Sequence, residues 1–401
     1  MLKNKYLITI AVLSLFLPLL GLNTVSSSLQ NIAEAFPQIS YTNILLIFTL
    51  PALFVIPFSI LSGILAGSKV KYRTLVIVGL LLFIFGGTAP VWINSFSAIL
   101  ISRIVFGIGL GIMTPLGNAY ILHLFDGQQK ANMLGVGAIV MNIGSIVLQL
   151  LGGYLCLIDW HYVFIPHVLG VFSLLVMLFF LPEPHMLRSE SALRDNETDG
   201  VEKNCNRLPI TVYIQCVLYG LGVMCVNPTV TKMSAIIQTA GIGNAASVGI
   251  VLSAMTVGAM LAGALFGKVY QKTMRFTIPI GLLTSAVGMG CIHYGNNLIL
   301  LFIGSLLSGL GFNLIMPAIM MTWGTSVAPS KSAAAVGALM ALMNFGIFIS
   351  PYYMAVLTQF TGNMSPRVPV FAGMLVCLIS AVTITLIRLK APLFVEASEV
   401  S

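Results

Sequence analysis

Between Leu100 and Pro115 the chain reads LISRIVFGIGLGIMTP, and between Phe302 and Pro317 it reads FIGSLLSGLGFNLIMP. The pairs Gly107/Gly309, Gly109/Gly311 and Pro115/Pro317 share a single offset of 202 residues. The glycines are not a phosphate loop, because no Lys-Ser or Lys-Thr follows them. In apolar helices such glycines let backbones approach closely. Working outward, Gly135 pairs with Gly337, and Met141-Asn142-Ile143-Gly144 with Met343-Asn344-Phe345-Gly346, at the same 202. Gly63 and Gly67 pair with Gly263 and Gly267 at 200, and Asn23 pairs with Asn227 at 204. So many matches in one order identify the chain as a duplication.

Composition decides the solvent. The 401 residues are 58% hydrophobic and only 7% charged, with a mean hydropathy of +1.01. Soluble domains carry about a quarter charged residues, so a water-facing enzyme is excluded. Cys156, Cys205, Cys216, Cys225, Cys291 and Cys377 form no CxxC pair and fall mostly in apolar runs, which points to neither disulfides nor a metal. No catalytic Ser/His/Asp grouping or nucleotide motif occurs, so neither enzyme activity nor a cofactor is expected. The net charge of +8 sits in short loops, which indicates membrane orientation and not nucleic acid.

A spanning helix needs about 20 mostly apolar residues. Twelve segments qualify: 6–29, 42–66, 73–94, 97–122, 132–156, 162–181, 209–236, 245–266, 275–294, 298–322, 333–357 and 369–388. The expected fold is an all-α membrane protein with twelve transmembrane helices in two pseudo-symmetric six-helix halves, 1–185 and 208–401. The polar stretch 186–207 reads as a cytoplasmic linker. One set of ends holds Lys3, Lys5, Lys69, Lys71, Arg73, Lys130, Arg188, Arg194, Lys203, Arg207, Lys268, Lys272, Arg275, Lys331, Arg388 and Lys390, sixteen of the 19 basic residues, and the opposite loops hold only Arg367. Short cytoplasmic loops collect Lys and Arg. A multi-pass cell-membrane protein with both termini cytoplasmic is therefore expected. Parallel six-helix repeats of this kind place a substrate site between the halves near the midplane.

Three stretches carry a family resemblance. The fourth span has Arg103 followed by Gly107, Gly109, Gly111 and Pro115. The loop after span two reads Gly63-Ile-Leu-Ala-Gly67-Ser-Lys69-Val-Lys71-Tyr-Arg73. Span one ends Leu22-Asn23-Thr24, then Leu29-Gln-Asn-Ile-Ala-Glu34-Ala-Phe-Pro37. The sequence resembles a major facilitator superfamily transporter over its whole length, most of all the twelve-span small-molecule efflux branch. The resemblance implies a conformational role for Gly63, Gly67, Lys71 and Arg73. The family's usual acid is replaced by Gly67, its usual glycine by Val70, and the efflux branch's Gly-Pro by Leu148-Gln149. Asn23 stands where many drug antiporters carry an acid.

A charge at the bilayer centre costs about 2.5–3.5 kcal/mol on insertion scales. Arg103 enters span four at a depth of about 9 Å. The resemblance implies proton or substrate coupling for it, the alternative being a structural arginine. Asn23, Ser26 and Gln30 are its expected partners, with Glu34 reaching it in one conformational state. Lys232, nearer the end of span seven, reads as a snorkelling lysine. None of the eleven acids falls mid-span, and His123, His161, His167 and His293 sit near predicted span ends, so proton coupling is left unproven.

Uncharged polar residues form stripes. Asn23, Ser26, Ser27 and Gln30 share one helical face of span one, and Asn227, Thr231, Ser234 and Gln238 share one face of span seven. Asn118, Asn142, Gln149, Asn313 and Asn344 add donors and acceptors. Cavity lining is expected for the stripes, helix packing being the alternative. The aromatics show no stacking box by spacing, and Trp92, Trp160 and Trp323 fall at span ends as interfacial anchors. The expected function is secondary active export of amphiphilic or drug-like small molecules by a monomer that meets only its substrate and the lipid bilayer. A sugar, metabolite or organic-anion permease is the alternative of the same class. A non-transporting membrane sensor is the alternative of another class.

Overall fold

The computed structural model describes residues 2–19, 21–125, 127–180, 208–323, 327 and 329–390. The expected linker at 186–207, Asp126, and the tail acids Glu396 and Glu399 lie outside the described residues. Among the described residues everything regular is helical, apart from one isolated bridge between Ala66 and Val70. Ten stretches are long and apolar enough to cross a membrane. One of them, Ala245–Tyr294, is 50 residues long, about 75 Å as a helix and more than twice a bilayer core. It holds spans eight and nine, Ala245–Thr273 and Thr277–Tyr294, separated by a 3-10 turn at Met274–Phe276. Met274 has a φ of 38°, a strained value for a residue with a side chain.

Span one departs from the regular helix expected over 6–29. It runs as a helix Leu2–Ser14, a 3-10 segment Gly21–Ser28 and a short helix Leu29–Ala35. The cause is local. The hydroxyls of Thr24, Ser26, Ser27 and Ser28 donate to the carbonyls of Gly21, Asn23, Thr24 and Val25, each three residues back. Ser and Thr compete with the backbone ladder in this way, and the tighter 3-10 winding suits i−3 partners.

Glycine spacing assembles each set of six. A Cβ on Gly107 would lie 2.6 Å from the Pro51 carbonyl of span two, Leu46–Leu65, and one on Gly109 2.7 Å from the Gly79 carbonyl of span three, Tyr72–Thr88. Span four, Phe96–Leu124, is thus wedged between two and three. Span ten, Leu298–Asn313 continued by Ile315–Thr322, repeats the arrangement. Gly309 abuts Met255 of span eight and Gly311 abuts Gly281 of span nine. Gly144 of span five, Gly127–Leu155, meets the Leu17 carbonyl of span one. Its repeat mate Gly346 of span eleven, Pro329–Thr361, meets Gly220 of span seven. Span seven comprises Ile210–Val226, Pro228–Thr231 and Met233–Thr239; span six is Trp160–Val168 with Leu169–Phe180, and span twelve Val368–Lys390.

The two sets of six meet at one end and part at the other. On span five the face through Gly135, Ala138, Asn142, Gln149 and Gly153 steps by threes and fours (with Ser145 between), one side of a helix. At the end away from the basic loops this face is covered: Gly153 touches Ala245, and the Gln149 carbonyl touches Gly249 of span eight. Toward the basic loops, Gly135, Gly263, Gly267 and Gly337 are exposed, and a Cβ on any of them would meet nothing within 4 Å. An opening between the halves therefore faces the basic end.

Candidate functional site

The closed end is held by uncharged hydrogen bonds, some within a repeat and others crossing between the repeats. Asn23 Nδ2 donates to Ser145 Oγ at 3.1 Å, and Gln149 Nε2 donates to Ser145 Oγ at 3.1 Å and to Thr256 Oγ1 of span eight at 3.4 Å. This ladder links spans one, five and eight. The second repeat has its own version, with Asn227 Nδ2 donating to Ser350 Oγ at 2.6 Å. Nearer the surface, Ser234 donates to the Ser27 carbonyl at 3.1 Å and accepts from the Gln30 backbone N–H at 3.1 Å. Gln238 Nε2 donates to Asn31 Oδ1 at 2.8 Å, and Tyr41 donates to the Thr231 carbonyl. The Lys232 ammonium lies 4.1 Å from the centre of the Tyr41 ring. It is a half-buried cation–π contact between the repeats, not a snorkelling lysine.

Of the expected site residues, Asn23, Ser26, Gln30, Gln149, Asn227, Thr231 and Ser234 fall within this closed end. Ser26 is fully buried and spends its hydroxyl on the Asn23 carbonyl. Gln149 is 3% exposed, and its Oε1 has no partner among the described residues. Asn118 and Asn313 lie elsewhere and are exposed. Asn313 Nδ2 bonds its own helix at the Gly309 carbonyl, as Asn142 and Asn344 do at Ala138 and Met340. Their side-chain carbonyls are left as acceptors. Glu34 is exposed and accepts from Gln30 at 3.0 Å.

Arg103 is not where its expected partners are. It is 1% exposed, and its Nη2 donates to the carbonyls of Gly86 and Gly87 at the end of span three, the latter at 3.0 Å. Its guanidinium sits 4.6 Å from the Phe106 ring centre and 5.0 Å from that of Phe164. The reason is in the backbone. The Gly86 carbonyl should accept from residue 90 in an α-helix, but residue 90 is proline and has no N–H. Arg103 supplies the missing donor. Around it Phe83, Phe106 and His167 pack with ring centres 5.0–5.6 Å apart, an aromatic cluster that spacing alone did not reveal. His167 is not at a span end but fully buried. Its ring nitrogens face the carbonyls of Phe164 at 2.9 Å and Gly21 at 3.3 Å.

In the loop motif, Gly67 adopts a φ of +75° that closes the turn after span two, with its N–H on the Val70 carbonyl at 2.9 Å. Gly63 meets nothing, Lys71 is exposed, and Arg73 donates to the Leu178 carbonyl of span six at 2.5 Å. Trp323, expected as an interfacial anchor, is 5% exposed and donates to Gln215 Oε1 at 2.5 Å. At the opposite face Asp159 and His161 form the one ion pair among the described residues, Oδ1 to Nδ1 at 2.5 Å, and His161 Nε2 faces Asn94 Oδ1 at 2.7 Å.

A duplicated set of six helices, close-packed through glycines around an inter-repeat opening, defines a membrane transporter and not an enzyme. The chain belongs to the Major Facilitator Superfamily, whose family description matches residues 6–212 and again 212–398. It is 23% identical over 315 residues to the quinolone resistance protein NorA of Staphylococcus aureus, covering 76% of this chain and 77% of that one. It is 31% identical over 120 residues to the multidrug efflux pump SdrM of the same species, but this match covers only 29% of this chain and 27% of that protein. The fold is that of solved transporters. A D-xylose-proton symporter superposes with a TM-score of 0.72 at 17% identity, covering 94% of this chain and 97% of that one. A bacterial homologue of the human lysosomal transporter Spinster, described as inward-facing and unoccupied, gives 0.67 at 14%, covering 96% and 95%.

Proposed function

We propose that this chain works by alternating access and exports amphiphilic or drug-like small molecules that are neutral or weakly anionic. The observation that carries the reading is the inter-repeat face, closed at one end by uncharged hydrogen bonds and open at the basic end. With both termini and the basic loops in the cytoplasm, this is the state that collects a solute for export. Asn118, Asn142, Asn313 and Asn344 offer uncharged polar groups, and Gln149 Oε1 is an acceptor at the closed end. Glu34 and Asp159 are the only carboxylates among the described residues, so a lipophilic cation finds no counter-charge inside. Curated relatives named as a multidrug efflux pump and a quinolone resistance protein point the same way.

Switching to the other state breaks the Gln149–Thr256, Ser234–Ser27 and Gln238–Asn31 bonds. Gly63, Gly67, Lys71 and Arg73 form the turn that moves with the basic ends of spans two and three. Arg103 acts as a positioning residue, fixing the end of span three against span four. The test is flux in proteoliposomes of purified protein, with imposed pH gradients of both signs. Saturable movement of a neutral fluorescent amphiphile, without movement of xylose, supports the reading. Saturable xylose flux with no amphiphile flux overturns the substrate class, and no saturable flux of any solute favours a sensor. Gradient-driven flux would show that protons are coupled to transport.

A further inference from the structure

The basic end of the second repeat carries a cavity of about 250 Å³ whose walls include Tyr270, Arg275, Ile278, Ala318, Thr322 and Arg388. It is separate from the opening between the repeats, being built by spans eight, nine, ten and twelve alone. Two arginines are fixed on its rim. Arg388 Nη1 donates to the Arg275 carbonyl, and the Arg275 guanidinium lies 5.1 Å from the centre of the Phe276 ring. The sequence holds no Asp or Glu between Glu202 and Glu396. Neither arginine has an ion-pair partner among the described residues. Two like charges held together repel, and each guanidinium has five donors to satisfy.

The surroundings indicate what satisfies them. Ile278 and Ala318 give the cavity an apolar side, and Tyr270 adds a hydroxyl. Span nine exposes Ile280, Leu283 and Val287, and span twelve exposes Ile379, Val382, Leu386 and Leu389. These two helices pack against one another. Their outer surfaces are apolar walls that run from the cavity into the bilayer. A paired cation at the headgroup level below an acyl-chain surface matches a phospholipid phosphate.

We propose that this cavity binds a phosphate-bearing anion, and that its occupant is an anionic phospholipid headgroup seated on Arg275 and Arg388, with its chains along spans nine and twelve. Bound there, the lipid clips together the basic ends of the helices around the Met274 turn. The site does not depend on which solute is transported, so its test is a binding measurement and stands or falls apart from flux.

The experiment is native mass spectrometry of the purified full chain, delipidated in detergent and titrated with phosphatidylglycerol, phosphatidylcholine or inorganic phosphate. Phosphatidylglycerol is expected to be retained well over phosphatidylcholine, and Arg275→Gln and Arg388→Gln are each expected to weaken it about fivefold. Should Arg388→Gln fail to fold, Arg275→Gln keeps the test, because only the backbone of Arg275 takes the internal bond. Displacement of the lipid by millimolar phosphate supports the phosphate chemistry but makes the occupant a soluble ion; no displacement supports the lipid. Equal retention of both lipids overturns the proposal. So does an equal loss in Lys69→Gln, which would mean general attraction to the basic face. Phosphatidylglycerol binding that appears only after Glu396→Gln with Glu399→Gln also overturns it, assigning the cavity to the chain's own tail.

Discussion

Replacing Arg103 by methionine tests whether the arginine is held there by Pro90. Its two charge-assisted bonds to the Gly86 and Gly87 carbonyls are worth about 1.5–3 kcal/mol each. The contacts with Phe106 and Phe164 add about 0.5–2 kcal/mol each. Against this stands the cost of one charge in the bilayer, about 2.5–3.5 kcal/mol. Methionine keeps much of the stem and removes both sides, so Arg103→Met should destabilise by about 4 kcal/mol, within a span of about 0.5–7.5. Adding Pro90→Ala restores an N–H to the Gly86 carbonyl and should recover about 1 kcal/mol. In the wild-type background Arg103 already serves that carbonyl, so Pro90→Ala gains nothing by this route. General effects of removing a proline appear in both backgrounds and cancel in the cycle. The assay is denaturant unfolding of the four purified proteins in one detergent. If Pro90→Ala has the same effect with and without Arg103, the capping argument is wrong. Arg103→Lys should fall between, since a lysine supplies a point charge but no planar fork.

Gly144→Ala should lower the unfolding midpoint strongly, because its Cβ would sit 2.5 Å from the Leu17 carbonyl, while Gly135→Ala, inside a helix and facing open space, should leave it unchanged or raise it slightly. Joint substitution Gln149→Leu with Thr256→Val removes the ladder between spans five and eight. It should raise the reactivity of a cysteine placed at Gln30 toward a membrane-impermeant thiol reagent severalfold, and unchanged labelling would show that the ladder does not hold the closed end. At the opposite face, the backbone N–H of His161 and then its ring hold the Asp159 carboxyl below the usual carboxylate range. The stability this contributes is therefore present above about pH 4 and lost as pH falls through the depressed value. A midpoint difference between wild type and Asp159→Asn should accordingly vanish in acid, and a difference independent of pH would refute the assignment.

The all-helical membrane fold, the duplication and the glycine-lined helix contacts were legible because each is written in local spacing. The closed end was only half legible. The stripes on spans one and seven contained Asn23 and Asn227, but their partners Ser145 and Ser350 lie 205 residues apart, off the 202 register of the neighbouring glycines, so the repeat did not point to them. The break in span one follows from serine hydroxyls turning back on their own backbone, which an apolar-length count does not see. Arg103 was found and its partners were not, because carbonyl acceptors have no residue signature; the nearest clue was Pro90, thirteen residues upstream. Phe83, Phe106, Phe164 and His167 come from three different spans and share no spacing. Trp323 looked like an interfacial anchor because its position at a span end says nothing of Gln215 waiting more than a hundred residues away.

The idle glycines at the basic ends carry a consequence for evolution. A Cβ on Gly135, Gly263, Gly267 or Gly337 would meet nothing in this arrangement, yet Gly135, Gly263 and Gly267 continue the helix faces that pack tightly at the far end. Selection acts on a molecule over its whole cycle, so residues silent in one state are still constrained by the state in which they meet. Correlated substitutions among related chains should therefore include pairs such as Gly135 with Gly263 that are far from contact here. Against this structure they would look like noise, but under the proposed alternating access they would record the partner arrangement, in which the basic ends close and the Gln149–Thr256, Ser234–Ser27 and Gln238–Asn31 bonds come apart.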